Sequence, residues 1–228
     1  MAFDGDVWEV CKYWSDPGIG GEADCYIDYS SREQTEDQKR IVEYLKGCVD
    51  IKSNILHVGV GSSQLAGYLY KSVNLIDGIT VSDNEYFVAS DKCILNYNVY
   101  QFSKHSREFV LQIKNKYDYI VDNNPASFAC CRYHFYLMLD NYLWALKPGG
   151  CILTDELGLG WSCCDPDFVL NYQRLLDFQE RLPIEVKKIT DSVISIAKNP
   201  GIGARPLLEK SYRLCHRGGR EVIEPRLV

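Results

Sequence analysis

Asp122, His134 and Asp155 are the residues whose type and placement suit proton transfer. Two of them end short apolar runs, Tyr117-Asp118-Tyr119-Ile120-Val121-Asp122 and Cys151-Ile152-Leu153-Thr154-Asp155, and His134 lies in the helical stretch between those runs. A carboxylate or an imidazole so placed can take the proton of a hydroxyl nucleophile, and of the two groups only imidazole titrates near neutral pH. A metal bridging Asp122 and Asp155 is the other way to activate a diol. Cys130 and His134, four residues apart, share a helical face, but zinc needs a second pair of ligands and the ten cysteines contain no Cys-x-x-Cys pair. Buried thiols and a site without metal are the expectation.

Positioning these groups falls to a framework organised by Asn54 to Gly67, N-I-L-H-V-G-V-G-S-S-Q-L-A-G. Ile55 to Val60 reads as a buried strand, Gly59 and Gly61 as a sharp turn open to a ligand, and Ser62 to Lys71 as a helix capped by Ser62 or Ser63. Its free N–H groups favour an anionic or hydroxyl-rich ligand. Upstream, Thr35-Glu36-Asp37-Gln38 fits a capping box, with Ile41, Val42 and Leu45 as the apolar face of its helix and Gly47 as its end. Downstream, strands are expected over Leu75–Val81, Tyr97–Phe102, Tyr117–Asp122 and the run after Lys147-Pro148-Gly149-Gly150. Helices are expected from Ser82-Asp83-Asn84-Glu85 onward, over Arg107–Lys114, over Phe128–Leu146 and over Asp167–Leu182. Thr190-Asp191 separates Ile184–Ile189 from Ser192–Ile196 as a hairpin. Strand and helix alternate, so the expected fold is α/β, a doubly wound, mostly parallel sheet with ligands outside the carboxyl ends of its strands.

A dinucleotide fingerprint starting at Gly59 would need glycine where Gln64 stands. Gly59-Val60-Gly61-Ser62-Ser63 instead resembles motif I of the class I S-adenosylmethionine-dependent methyltransferases, with Ser63 in the place of the last glycine and His57 where that family usually has an acid. Gly78-Ile79-Thr80-Val81-Ser82 is similar to the corresponding stretch of cyclopropane fatty acid synthases and their methyltransferase relatives. Tyr117 to Pro125 resembles motif IV, although Asp122-Asn123-Asn124-Pro125 lacks the second proline and the aromatic residue of enzymes that methylate amino groups of nucleic acid. Leu146-Lys147-Pro148-Gly149-Gly150 followed by an apolar strand resembles the family's turn into its fifth strand.

The resemblance covers about residues 35–198 and implies a seven-stranded Rossmann-like methyltransferase sheet closed by an antiparallel hairpin, with S-adenosylmethionine as cofactor. It implies cofactor contacts from His57, Gly59, Gly61, Ser63, Asp122 and Asn123, a ribose contact through Thr80, Ser82 or Asp83, Ser103 near the adenine, and Arg32 on the methionyl carboxylate. Trp161 could wall an acceptor pocket or pack in the core. Ile55 to Ser63, Asp122 to Phe128 and Ile152 to Trp161 look loosely like bacterial sugar O-methyltransferases. The leading expectation is therefore O-methylation of a small hydroxylated metabolite, a sugar or a natural-product intermediate. Small-molecule N-methylation is the alternative enzyme. A catalytically silent cofactor-binding scaffold is the alternative of another class, motivated by His57 and Thr80 in place of acids.

The 228 residues, 46% hydrophobic, suffice for one full core. Residues 1–34, rich in aromatic and turn residues, are expected to cap the cofactor mouth, 35–198 to form the catalytic domain and 199–228 a peripheral tail. That tail holds six Lys or Arg against three Glu, so the net −6 of the chain leaves −9 on the remainder. An acidic body argues against a nucleic-acid partner and favours a small-molecule acceptor. With no signal peptide and no long apolar run, no membrane association is expected, the location expected is cytoplasmic, and a homodimer is compatible with this reading.

Overall fold

The computed structural model describes residues 28–105, 107–113, 116–127, 132–160, 168–180 and 182–199. In chain order these form α1 (Glu36–Lys46), β1 (Asn54–Val58), α2 (Gln64–Leu69), β2 (Leu75–Thr80), α3 (Asp83–Ser90), β3 (Tyr97–Gln101), α4 (Arg107–Gln112), β4 (Tyr117–Asp122), α5 (Arg132–Ala145), β5 (Leu146–Asp155), a 3-10 turn (Gly158–Gly160), α6 (Tyr172–Gln179), β6 (Ile184–Lys188) and β7 (Val193–Lys198). The strands make one sheet in the order β3-β2-β1-β4-β5-β7-β6. The first five are mutually parallel, while β7 runs antiparallel to both β5 and β6. The chain order reverses direction across β1 and β4, so their carboxyl ends splay apart as a crevice.

Strand periodicity sorts the core into two layers. Ile55 of β1, Ile76 of β2, Val121 of β4 and Leu153 of β5 pack with Ile41, Val42 and Leu45 of α1 and Leu65 and Leu69 of α2. Their neighbours Leu56, Ile120 and Ile152 point the other way, against Phe109 and Ile113, Phe135, Leu139 and Tyr142 of α5, and Leu175 and Phe178 of α6. No helix among the described residues is long and apolar enough to cross a membrane.

Three local expectations change. Thr35 stands at the N-cap of α1 but makes no side-chain cap bond, so the capping box does not form. Ser63 precedes α2 in a left-handed conformation, φ 57°, also without a side-chain cap, and α2 spans only six residues. Its hydroxyl turns instead to the Tyr97 hydroxyl at 2.9 Å. Lys147-Pro148-Gly149-Gly150 lies within β5: Leu146 pairs with Tyr117 and Cys151 with Tyr119, so the intervening residues bulge opposite Asp118. Glycine is required in that bulge, since a Cβ on Gly150 would stand 2.9 Å from the Asp118 carbonyl oxygen.

Candidate functional site

The crevice at the carboxyl ends of β1, β2 and β4 is a cavity of about 340 Å³. Its floor is the turn after β1, where Gly59 and Gly61 have φ of 72° and 48°. An L side chain is strained at either angle, and a Cβ on Gly59 would meet nothing within 4 Å. The turn thus presents bare backbone to the cavity. Residues 29–38 of the lead into α1 form one wall, and residues after β2, β3 and β4 form the others.

Glu85, in the first turn of α3, is the side chain that joins β1 and β2 at the rim. Its carboxylate accepts the Thr80 hydroxyl at 2.6 Å and the Gly61 N–H at 3.2 Å. Ser82 caps the same helix by accepting the Glu85 N–H at 3.4 Å, so helix geometry fixes where that carboxylate sits. Burial raises the Glu85 carboxyl above the ordinary carboxylate range, and the bonds from Thr80 and Gly61 oppose that rise. The sequence expectation for this rim names Thr80, Ser82 and Asp83; Glu85 joins Thr80 there, and its mark in the sequence is an acid three residues beyond the Ser82 cap.

His57 ends up 4% exposed on the cavity wall, with no hydrogen-bond partner for Nδ1 among the described residues. Burial lowers its pKa from 6.5 to about 4, opposed by the Asp122 charge, so the ring is neutral at pH 7. Across the crevice, Asp37 is a second buried carboxylate missed from the sequence. It lines the cavity from the first turn of α1 and accepts the Asn123 side-chain N–H at 2.5 Å.

The remaining corner is built around Lys104, also missed. Its buried ammonium donates to Asp122 Oδ2 at 2.8 Å, the Asn124 carbonyl at 2.8 Å, the Pro125 carbonyl at 3.1 Å and Ser127 Oγ at 3.3 Å. Tyr142 of α5 donates to the same Asp122 oxygen at 2.7 Å, and the Asn124 N–H reaches Asp122 Oδ1 at 3.1 Å. Burial lowers the Lys104 pKa while the Asp122 charge raises it. In sequence, Lys104 sits in a loop after the third strand with nothing local to mark it.

Of the site residues expected from sequence, Arg32, His57, Gly59, Gly61, Thr80, Ser82, Ser103, Asp122 and Asn123 all line this cavity. Arg32 stacks over the Tyr29 ring at 4.6 Å. Three others do not line it. Ser63 is fully buried behind the turn on Tyr97, because its left-handed backbone aims the hydroxyl at β3. Asp83 points outward from α3 to the Gln101 amide. Asp155 lies on the α1 face of the sheet, paired with Arg40 at 2.7 Å and 2.9 Å and accepting Ser192 at 2.8 Å. The Arg40 bond holds its carboxyl below the ordinary range despite burial. Asp122, bonded to Tyr142 of α5, is on the opposite face, so the two aspartates cannot share a metal or a proton. The side chain of His134 and residues 1–27, 128–131, 161–167 and 200–228, with Cys130, Trp161 and the tail, lie outside the described residues.

Scans against protein-family models and against curated proteins return no match. Solved structures do match. The N-methyltransferase NodS of Bradyrhizobium japonicum WM9, determined with S-adenosyl-L-homocysteine, superposes with a TM-score of 0.55 at 15% identity, over 81% of this chain and all (100%) of that one. A TehB-like SAM-dependent methyltransferase of Corynebacterium glutamicum gives 0.53 at 16% identity, over 69% of this chain and 86% of its own. The 4+2 cyclase SpnF gives 0.50 at 17% identity, over 81% and 68% respectively. The chain therefore has the Rossmann-like methyltransferase fold with its antiparallel C-terminal strands. A cyclase among these likenesses illustrates that the fold alone does not fix the reaction.

Proposed function

We propose that this chain is an S-adenosylmethionine-dependent methyltransferase acting on a small-molecule acceptor. The observation that carries the reading is the rim formed by Gly59, Gly61 and Glu85: bare backbone beside a carboxylate anchored by Thr80, facing a cavity of about 340 Å³. That volume falls at the lower end of the roughly 300–1,000 Å³ of small-molecule sites. The donor set suits the cofactor. Glu85 would accept hydroxyl groups, the turn at Gly59 to Gly61 gives close backbone approach, and Asp37 and Glu33 on the α1 wall suit a cationic amino group, with Arg32 for a carboxylate. When bound, the cofactor supplies an electrophilic methyl group.

The protein's own contribution to transfer is orientation, exclusion of water and management of one proton. A hydroxyl acceptor, the leading expectation from sequence, has to lose that proton. Asp122 has both oxygens engaged by Lys104, Tyr142 and Asn124, and Asp155 faces α1. Besides Asp122, the cavity is lined by the carboxylates of Glu33, Asp37 and Glu85 and by His57, whose burial keeps the ring neutral and makes it a weak acceptor for that proton. A small amine that binds as the neutral base attacks through its lone pair, its proton having been lost to solvent beforehand, and the engagement of Asp122 is the observation that favours this second reading.

Calorimetry with S-adenosylhomocysteine and with NAD tests the cofactor assignment: binding of the first and none of the second is expected. Gly61→Val should abolish that binding, since valine is strained at φ 48° and its branches would crowd the ligand's approach. NAD binding without S-adenosylhomocysteine binding refutes the reading. Methyl transfer from labelled cofactor into a metabolite extract separates an enzyme from a silent scaffold, and the labelled product separates O- from N-methylation.

A further inference from the structure

We propose that Lys104 is a positioning residue, a latch that holds the loop after β4 in the shape that walls the cavity. The loop leaves β4 at Asp122 and passes through Asn123, Asn124 and Ser127, all three of which line the cavity. Donors of the loop itself, the Ser127 hydroxyl and N–H and the Asn124 N–H, reach the Asn124 carbonyl and Asp122 Oδ1 but make no bond to the Pro125 carbonyl or to Asp122 Oδ2. Lys104 reaches both from a separate segment, after β3, contacting four acceptors spread over residues 122 to 127 within 2.8 to 3.3 Å. An ammonium has three N–H donors, so three of these bonds saturate it and the fourth contact is shared. The loop answers with its own closure: the Ser127 hydroxyl reaches the Asn124 carbonyl at 2.7 Å, and the Ser127 N–H reaches the same oxygen at 2.9 Å.

The arrangement has the cost structure of a specificity device. Both charges of the Lys104–Asp122 pair are about 95% or more buried, so their desolvation offsets most of their attraction. A pair whose net stabilisation is small, but whose remaining N–H groups bind two loop carbonyls, fixes conformation more than it adds stability. Without Lys104 the Pro125 carbonyl loses this donor and the Asn124 carbonyl keeps only its bonds from Ser127. With Lys104 in place both carbonyls are turned to its ammonium, and Asn123, Asn124 and Ser127 line the cavity. The consequence for a bound ligand rests on the proposed cofactor reading; the latch itself is a property of the unliganded chain.

Amide hydrogen exchange on the full chain, without and with S-adenosylhomocysteine, tests it. In Lys104→Met the Asn124 and Ser127 amides should exchange roughly tenfold faster or more, while Leu56 and Ile120 in the sheet keep their rates. Lys104→Arg, whose larger guanidinium has the cavity beside it, should keep both loop amides slow. Affinity for S-adenosylhomocysteine should fall about tenfold in Lys104→Met, because the ligand must then order the loop. If Lys104→Met fails to fold, Lys104→Met/Asp122→Asn removes the unpaired buried charge, and its Ser127 amide should still exchange fast. Unchanged loop exchange, exchange raised equally throughout the sheet, or an arginine variant as fast as methionine overturns the latch. Wild-type protein that shows the latch but binds no S-adenosylhomocysteine overturns the cofactor reading and leaves the latch standing.

Discussion

Acid should destabilise this protein through His57 as pH falls from about 6.5 towards 4. In the folded chain the ring is neutral down to about pH 4, whereas an unfolded histidine takes up a proton near 6.5. Between those values the unfolded state binds the extra proton, so stability rises with pH across the window and is lost as pH falls through it. The separation, from 6.5 to about 4, corresponds to about 3 kcal/mol, at 1.36 kcal/mol per pH unit. Glu85 acts in the opposite sense. Its raised carboxyl pKa means that the folded state binds more protons above pH 4.5, so its contribution to stability declines as pH rises through the folded value. A wild-type profile alone therefore mixes two slopes. Urea denaturation of wild type and His57→Gln at pH 4, 5, 6 and 7 isolates one of them. The wild type should lose about 3 kcal/mol more than the variant between pH 7 and pH 4. Parallel profiles for the two proteins, or a His57 ring that titrates near 6.5 by NMR in the folded state, would show that the ring is not desolvated and refute the reasoning.

Two glycines should respond in opposite directions to alanine. At Gly158 a Cβ would stand 1.7 Å from the Asn123 carbonyl oxygen and 2.8 Å from its carbon, so Gly158→Ala must push Asn123 and the cavity wall aside. The expected cost is about 1–3 kcal/mol, a fall of roughly 2–4 °C in Tm per kcal/mol, with weakened S-adenosylhomocysteine binding. Gly160→Ala, with nothing within 4 Å, is the control, and equal melting of the two variants would remove the clash argument. Gly67, inside α2 with open space around its missing Cβ, should gain from alanine. Gly67→Ala is expected to stabilise by about 0.5–1 kcal/mol in urea melts with ligand binding unchanged, and a destabilised variant would contradict that.

Local rules in the sequence determined the alternation of elements and the glycine turn. Strands such as Tyr117–Asp122, the hairpin around Thr190-Asp191 and the crevice beyond β1 and β4 follow from periodicity, turn chemistry and the connection rules of parallel sheets, all of which act over short stretches. Gly59 and Gly61 were readable because positive φ selects for glycine at the residue itself. What each polar side chain touches was decided only when distant segments met. Asp122 and Asp155 look alike in sequence, each closing an apolar strand. Yet strand register sends the first to Tyr142 and Lys104 and the second to Arg40, 115 residues away, on the other face of the sheet. Ser63 looked like a cofactor ligand until its backbone took φ 57° and turned it to Tyr97. Glu85 shows locally only as an acid placed three residues after a cap, and Asp37 and Lys104 are marked by no cofactor motif, because each gains its role from a neighbour 24, 86 or 18 residues away. Burial then raises the Glu85 carboxyl and lowers the Lys104 ammonium, and burial is a property of the packed chain that no local stretch of sequence contains.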